Sequence, residues 1–152
     1  MKCLQARAVV SMLTLAAATV TMVPATAAAA TGCVASSKTC KVDIKVSGTP
    51  GSYGVKFTPD QLHVKQSELG KRYKITFHLR TKGFVFQDSD GIEFKDPTGS
   101  EFKCMKVQKT RKQWMCTYEN QVLGKYRYKA TFHDTAGNTV VGDPLITNID
   151  TN

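Results

Sequence analysis

Residues Arg72 to Arg80 alternate apolar and polar side chains without a break, with Tyr73, Ile75, Phe77 and Leu79 set against Lys74, Thr76 and His78. A period of two places one set on each side of an extended chain, the pattern of a strand with one face buried. The pattern recurs in Lys41–Ser47 with Val42, Ile44 and Val46, and in Tyr53–Thr58 with Tyr53, Val55 and Phe57. It returns in the short Leu62–Lys65 and in Lys125–Phe132, where Tyr126, Tyr128, Ala130 and Phe132 point inward. Gly83–Phe86 and Ile92–Phe94 are shorter apolar pieces, and Thr139–Ile149 closes the chain as a last strand. Turn residues punctuate these runs: Gly48-Thr49-Pro50-Gly51, Pro59-Asp60, Ser67–Gly70 and Asp134–Asn138. No segment carries a sustained helical period. Strands at this spacing predict an all-β chain, a single antiparallel β-sandwich of about seven to nine strands.

The N-terminus says where such a domain works. Met1–Arg7 carries Lys2 and Arg7 and no acid, and Ala8–Val23 is an uncharged, mainly apolar run. Pro24 then breaks the run, and Ala25-Thr26-Ala27 supplies small residues at the cleavage spacing. This is the three-part pattern of a secretory signal peptide. The expected division is a signal peptide over 1–27, a flexible N-terminal segment over 28–40 and a β-sandwich over 41–152. The expected location is secreted or periplasmic. The apolar run is short for a membrane span, which needs about 20 residues, so no transmembrane segment is expected. Ala30-Thr31-Gly32-Cys33 loosely resembles a lipid-attachment box, but Ala30 stands where Leu or Val is usual and the apolar core ends well upstream.

Export sets the reading of the cysteines. Cys3 leaves with the signal, and Cys33, Cys40, Cys104 and Cys116 remain, an even number in an oxidising setting. Phe102–Val107 and Gln113–Tyr118 flank a polar turn as a hairpin. Pairing Met105 with Met115 places Cys104 opposite Cys116, where a bridge needs no backbone movement. Cys33 and Cys40 then close a short N-terminal loop.

The chain has 21 Lys and Arg against 12 Asp and Glu, and without Lys2 and Arg7 the excess is +7. A basic exported domain meets anionic polysaccharide, lipid head groups or acidic proteins, and export removes nucleic acid as a partner. Lys103, Lys106, Lys109, Arg111 and Lys112 gather on one hairpin and its tip, the candidate binding cluster. The tip is too polar to bury, so its charges are expected to be solvated. Lysines on the solvent side of strands also keep edges from pairing, which accounts for part of the excess.

Two weak metal candidates stand out. Asp88 and Asp90 open a stretch that begins like a calcium loop, but the twelve-residue ligand pattern is missing and Lys95 sits inside it. Met105 and Met115 face each other across the hairpin, as soft ligands for Cu(I) or as core filling. His63, His78 and His133 lie far apart, and the alternation points His78 and His133 outward. Trp114, Cys116 and Tyr118 share one face, the expected core side. Gly-x-Ser-x-Gly and His-Glu-x-x-His are both absent. No catalytic residue and no cofactor is therefore assigned, and the chain is not expected to be an enzyme.

The stretch Tyr126–Thr139, with its Tyr-rich strand and Asp134-Thr135-Ala136-Gly137-Asn138 turn, resembles the closing hairpin of bacterial immunoglobulin-like domains. Asp143-Pro144-Leu145-Ile146-Thr147-Asn148 is similar to the last strand of small exported bacterial proteins of immunoglobulin-like or cupredoxin-like shape. The resemblance covers about the last quarter of the chain and implies adhesion, ligand binding or spacing rather than catalysis. The cupredoxin comparison implies copper, but neither Cys104 nor Cys116 has a His nearby and both are committed to a bridge. The expected function is a non-enzymatic binding module, a monomer that recognises an anionic polysaccharide or an acidic exported protein. The alternatives are an inhibitor or immunity-type protein that blocks an exported enzyme, and a copper-handling protein.

Overall fold

The computed structural model describes residues 33–34, 36–88, 90–95 and 101–147. The expected signal peptide over 1–27 and the first part of the stretch that resembles a lipid-attachment box lie outside the described residues. Twelve strands are described: β1 (Cys33–Val34), β2 (Thr39–Thr49), β3 (Ser52–Thr58), β4 (Gln61–His63), β5 (Tyr73–Leu79), β6 (Phe84–Val85), β7 (Ile92–Phe94), β8 (Phe102–Lys106), β9 (Gln113–Tyr118), β10 (Lys125–Asp134), β11 (Thr139–Gly142) and β12 (Leu145–Thr147). One 3₁₀ turn, Gln66–Glu68, is the only helical element among the described residues.

The strands form two sheets, and the chain passes repeatedly between them. In sheet 1 the order is β3, β2, β5, β9, β8, with β1 continuing the edge beside the start of β2. In sheet 2, β10 is the spine. It pairs with β11 and β12 on one side and with β7 and β6 on the other, and β4 adds to the outside of β12. The all-β sandwich expected from the alternation is present. Its pairing is mixed, however: β2 runs parallel to β5, and β4 parallel to β12. The reason is topological. After the β2–β3 hairpin the chain crosses to sheet 2 as β4, then returns to sheet 1 on the far side of β2. Such a crossover joins parallel neighbours, whereas a tight turn joins antiparallel ones.

Boundaries shift at both ends. β1 and the start of β2 already pair within the segment 28–40, with Cys33 bonded to Cys40. The single last strand is split by Asp143-Pro144, because proline cannot donate to a ladder. The register nevertheless continues across the break: Ala130 faces Gly142, and Arg127 faces Leu145. The β10–β11 turn is built by Asp134, whose carboxylate accepts from the Ala136 and Asn138 backbone N–H groups and from the Asn138 side chain. These bonds, and one donated by Tyr53 Oη at 2.8 Å, lower the Asp134 pKa to about 2, with the Asn138 side chain contributing most.

The core lies between the sheets. Val42, Ile44, Ile75 and Phe77 come from sheet 1, and Tyr128, Ala130, Phe132 and Ile146 from sheet 2, all at most 1% exposed. A fully buried side chain of the Val, Ile or Phe size contributes about 1.5–3 kcal/mol relative to exposure. The Phe77 and Tyr128 rings meet edge-on at 5.1 Å across the interface. At the β7–β8 side a stack closes the sandwich: Phe94 of β7 lies on Phe102 of β8 at 3.6 Å, and Phe102 on Tyr118 at 4.4 Å. At the opposite side β11 approaches β3 so closely that a Cβ on Gly142 would meet the Phe57 ring at 2.6 Å.

Candidate functional site

The outer face of sheet 1 follows from register and alternation. Val42, Ile44 and Val46 of β2, Ile75 and Phe77 of β5, and Trp114 and Cys116 of β9 face the core, so their neighbours face out. Lys41, Thr76, Met115 and Met105 lie side by side across four strands. The next row is Thr39, Lys74, Thr117 and Lys103, and Lys56 stands beside Lys45 in another. With strands about 4.8 Å apart, the five-strand face is roughly 19 Å wide.

Lys41, Lys45, Lys56, Lys74, Arg80 and Lys103 are all exposed on this face. The acid among them is Asp43, and it is already shared: Arg80 Nε lies 2.9 Å from its Oδ1 and Lys41 Nζ 3.7 Å. His78 stands next to Asp43 in the ladder. Burial first, then the charges of Arg80 and Lys41, lower the His78 pKa against the weaker opposing pull of Asp43. The imidazole therefore registers the positive field of the surface.

The hairpin cluster divides in two. Lys103, Lys109 and Arg111 are exposed as expected. Lys106 and Lys112 are not freely solvated. Lys106 pairs with Asp88. The Lys112 ammonium donates to the carbonyls of Thr81, at 2.8 Å, and Phe84, and partial burial lowers its pKa. Lys112 thus ties the hairpin tip to the loop before β6. The sequence shows a charge run there and gives no sign that the run changes role partway.

Met105 and Met115 do face each other in register. They are not core residues: Met105 is 56% exposed and Met115 half-buried. Together with Thr76, Val107, Gln113 and Lys74 they line a recess of about 510 Å³ in the outer face of sheet 1. The surrounding lysines disfavour a cation there, and the thioethers serve as an apolar floor. Both disulfides are formed, Cys33 to Cys40 and Cys104 to Cys116. The Cys104–Cys116 bridge lies on the inner side of this face and pins β8 to β9.

The acidic loop is engaged in ion pairs. Asp88 is held by Lys106, whose hydrogen bond lowers its pKa, and Asp90 Oδ2 is 2.9 Å from His133 Nε2. His133 is buried, contrary to its expected outward exposure. It does lie on the outer side of β10, but the loop carrying Asp90 covers it. Local alternation cannot register a cover supplied by residues some forty positions away. No group of three or more His, Cys, Asp or Glu side chains suited to a metal occurs among the described residues. No helix among them is long and apolar enough to cross a membrane. Comparison with models of known protein families finds no match, and comparison with curated proteins finds none either.

Proposed function

We propose that this chain is an exported, non-enzymatic binding module that takes an anionic polysaccharide of the cell envelope on the outer face of sheet 1. The observation that carries this reading is the charge distribution: six exposed cations on one broad face, with Asp43 already shared between two of them. An apolar recess floored by Met105 and Met115 lies among these charges. A glycan presents apolar C–H faces and carries its carboxylates or sulfates at the rim, which complements this arrangement. Cations spread over the rows of a rigid sheet suit a repeating polymer better than a single charged group. The resemblance of Tyr126–Thr139 to immunoglobulin-like adhesion domains points the same way. The acidic-protein and inhibitor readings become outcomes of the same test.

The test is binding of a polyuronate or sulfated glycan, with NMR titration of His78. The bound polyanion is expected to raise the His78 pKa, since it offsets the field of Arg80 and Lys41. Affinity is expected to fall steeply with salt, because exposed charges are screened beyond about 8–10 Å near physiological ionic strength. Binding that leaves the His78 titration unmoved would place the glycan elsewhere and refute the reading. Tight one-to-one capture of an acidic protein, with no glycan binding, would replace it with the protein-partner reading.

A further inference from the structure

The chain contains five methionines. Met1, Met12 and Met22 fall in the expected signal peptide, and the other two, Met105 and Met115, are register partners on β8 and β9. Directly opposed residues of an antiparallel pair carry their Cβ atoms about 4.5–5.5 Å apart, so the two thioethers are neighbours. Met105 is 56% exposed and Met115 half-buried. Both line the recess of about 510 Å³, together with Lys74, Thr76 and Gln113. Met115 and Lys74 also line the adjoining hollow toward Thr39 and Thr117. Methionine ordinarily fills gaps in a core. Here a pair of thioethers is presented to solvent in the middle of a basic face, and core packing does not account for it.

Other groups open to oxidation are shielded. Cys33 is bonded to Cys40 and Cys104 to Cys116, and Trp114, the sole tryptophan, is 8% exposed. Beyond the expected signal peptide, the reduced sulfurs are those of Met105 and Met115. A peroxide converts a thioether to a sulfoxide, which makes a flexible apolar side chain polar and can be reversed by sulfoxide reductases. The sulfur lone pair attacks one oxygen of hydrogen peroxide, an S–O bond forms and the O–O bond breaks. The transferred oxygen gives its proton to the departing hydroxide, which leaves as water. The sulfur loses two electrons and the peroxide gains them.

We propose that Met105 and Met115 are an oxidation site that switches off glycan binding on the outer face of sheet 1. The switch rests on the reading of that face as a glycan site, whereas the oxidation site does not. Two effects of the sulfoxide act in the same direction. The floor that meets the C–H faces of a sugar becomes polar. The new oxygen is also a hydrogen-bond acceptor, and it competes for the Lys74 ammonium that a polyanion would engage. The frame survives the change. Met105 lies on the surface, so no core contact is lost, and the neighbouring Cys104–Cys116 bridge keeps β8 paired with β9.

The experiment treats the full chain, and a variant carrying Met105→Leu and Met115→Leu, with hydrogen peroxide that is removed before binding is measured. Peptide mapping by mass is expected to find an added oxygen on Met105 first and on Met115 second, in order of exposure. Calorimetric titration with a polyuronate and with a sulfated glycan is expected to show about tenfold weaker binding by the treated parent, the equivalent of roughly 1.4 kcal/mol. Treated and untreated samples of the variant are expected to bind alike, and the treated parent to melt close to the untreated one. Met105 and Met115 left unmodified under conditions that oxidise free methionine would overturn the oxidation site. Complete sulfoxide formation with unchanged affinity, an equal loss in the variant, or loss of the melting transition would each overturn the switch. An untreated parent that binds neither glycan would overturn the reading of the basic face and the switch with it, while the peptide map still decides the oxidation site.

Discussion

The outer faces of the two sheets solve the same solvent problem differently. On sheet 2 most of the charges are interleaved: Lys129 pairs with Glu93, Lys95 with Asp143, and His133 is closed beneath Asp90, while Lys125 and Arg127 stand exposed at the start of β10. On sheet 1, Lys45, Lys56, Lys74 and Lys103 have no acid within ion-pair distance among the described residues, and Asp43 alone serves Lys41 and Arg80. Solubility alone does not ask for this, since mixed signs keep a surface soluble as well. The contrast teaches that the excess charge is not spread over the molecule. It is concentrated on the side where the sheet is widest and its centre apolar.

The largest expected effect breaks the comparison by loosening one side of it. Replacing Cys104 and Cys116 with serine frees β8, and with it Lys103 and Met105, from the face. Chemical denaturation should show a loss of about 2–4 kcal/mol, and a variant as stable as the parent would mean that strand pairing alone holds the edge. Next in size is charge reversal. Lys41→Glu, Lys74→Glu and Lys103→Glu together are expected to weaken polyanion binding about ten- to hundredfold, at roughly 0.5–1 kcal/mol for each exposed charge. Lys125→Glu with Arg127→Glu, on sheet 2, should change it little. Equal losses from both sets, measured calorimetrically at one salt concentration, would dissolve the distinction between the faces.

A third comparison lies within the hairpin tip. Lys112→Ala is expected to lower stability by about 1–2 kcal/mol, because the Thr81 and Phe84 carbonyls lose their donor. Arg111→Ala should leave the melting temperature within the small range usual for exposed positions. Smallest is the response to acid of the β10–β11 turn. Asp134 has a pKa of about 2 in the folded chain, against about 3.9 for an unperturbed Asp. A lowered folded pKa means that its stabilisation is complete above the unfolded value and is lost as pH falls toward 2. The melting-temperature difference between the parent and Asp134→Ala should therefore shrink between about pH 4 and pH 2. A difference that stays constant over that range would assign the effect to turn shape rather than to the carboxylate.

What the sequence makes legible is local. Alternation identifies most of the strands and their inward residues, as in Tyr73–Leu79, and the hairpin register follows from Met105 opposite Met115. Depth is another matter. Met105 reads equally as core or surface, because period two separates two faces without saying which sheet covers either. His133 and Lys112 were misplaced for a related reason: each is captured by a loop distant in sequence. The basic face was visible only as an overall charge excess. Lys41 and Lys74 become neighbours of Lys103 only once β2, β5, β9 and β8 are laid in order, and the parallel β2–β5 pairing that does this has no local signal. The close approach of Gly91 to the Trp114 ring, where a Cβ would lie 2.5 Å away, depends on the same long-range placement.

β10 takes its partners from both directions along the chain, β6 and β7 before it and β11 and β12 after it. β4 must wait for β12, the last described strand. β4, β6 and β7 therefore have no neighbour in sheet 2 until strands well downstream of them are made, β10 for β6 and β7 and β12 for β4. Contacts between residues so far apart in sequence also make folding slow. Sheet 1 has all its strands by Tyr118, so its apolar face waits uncovered for β10, and the two layers close on one another only after both sheets have their strands.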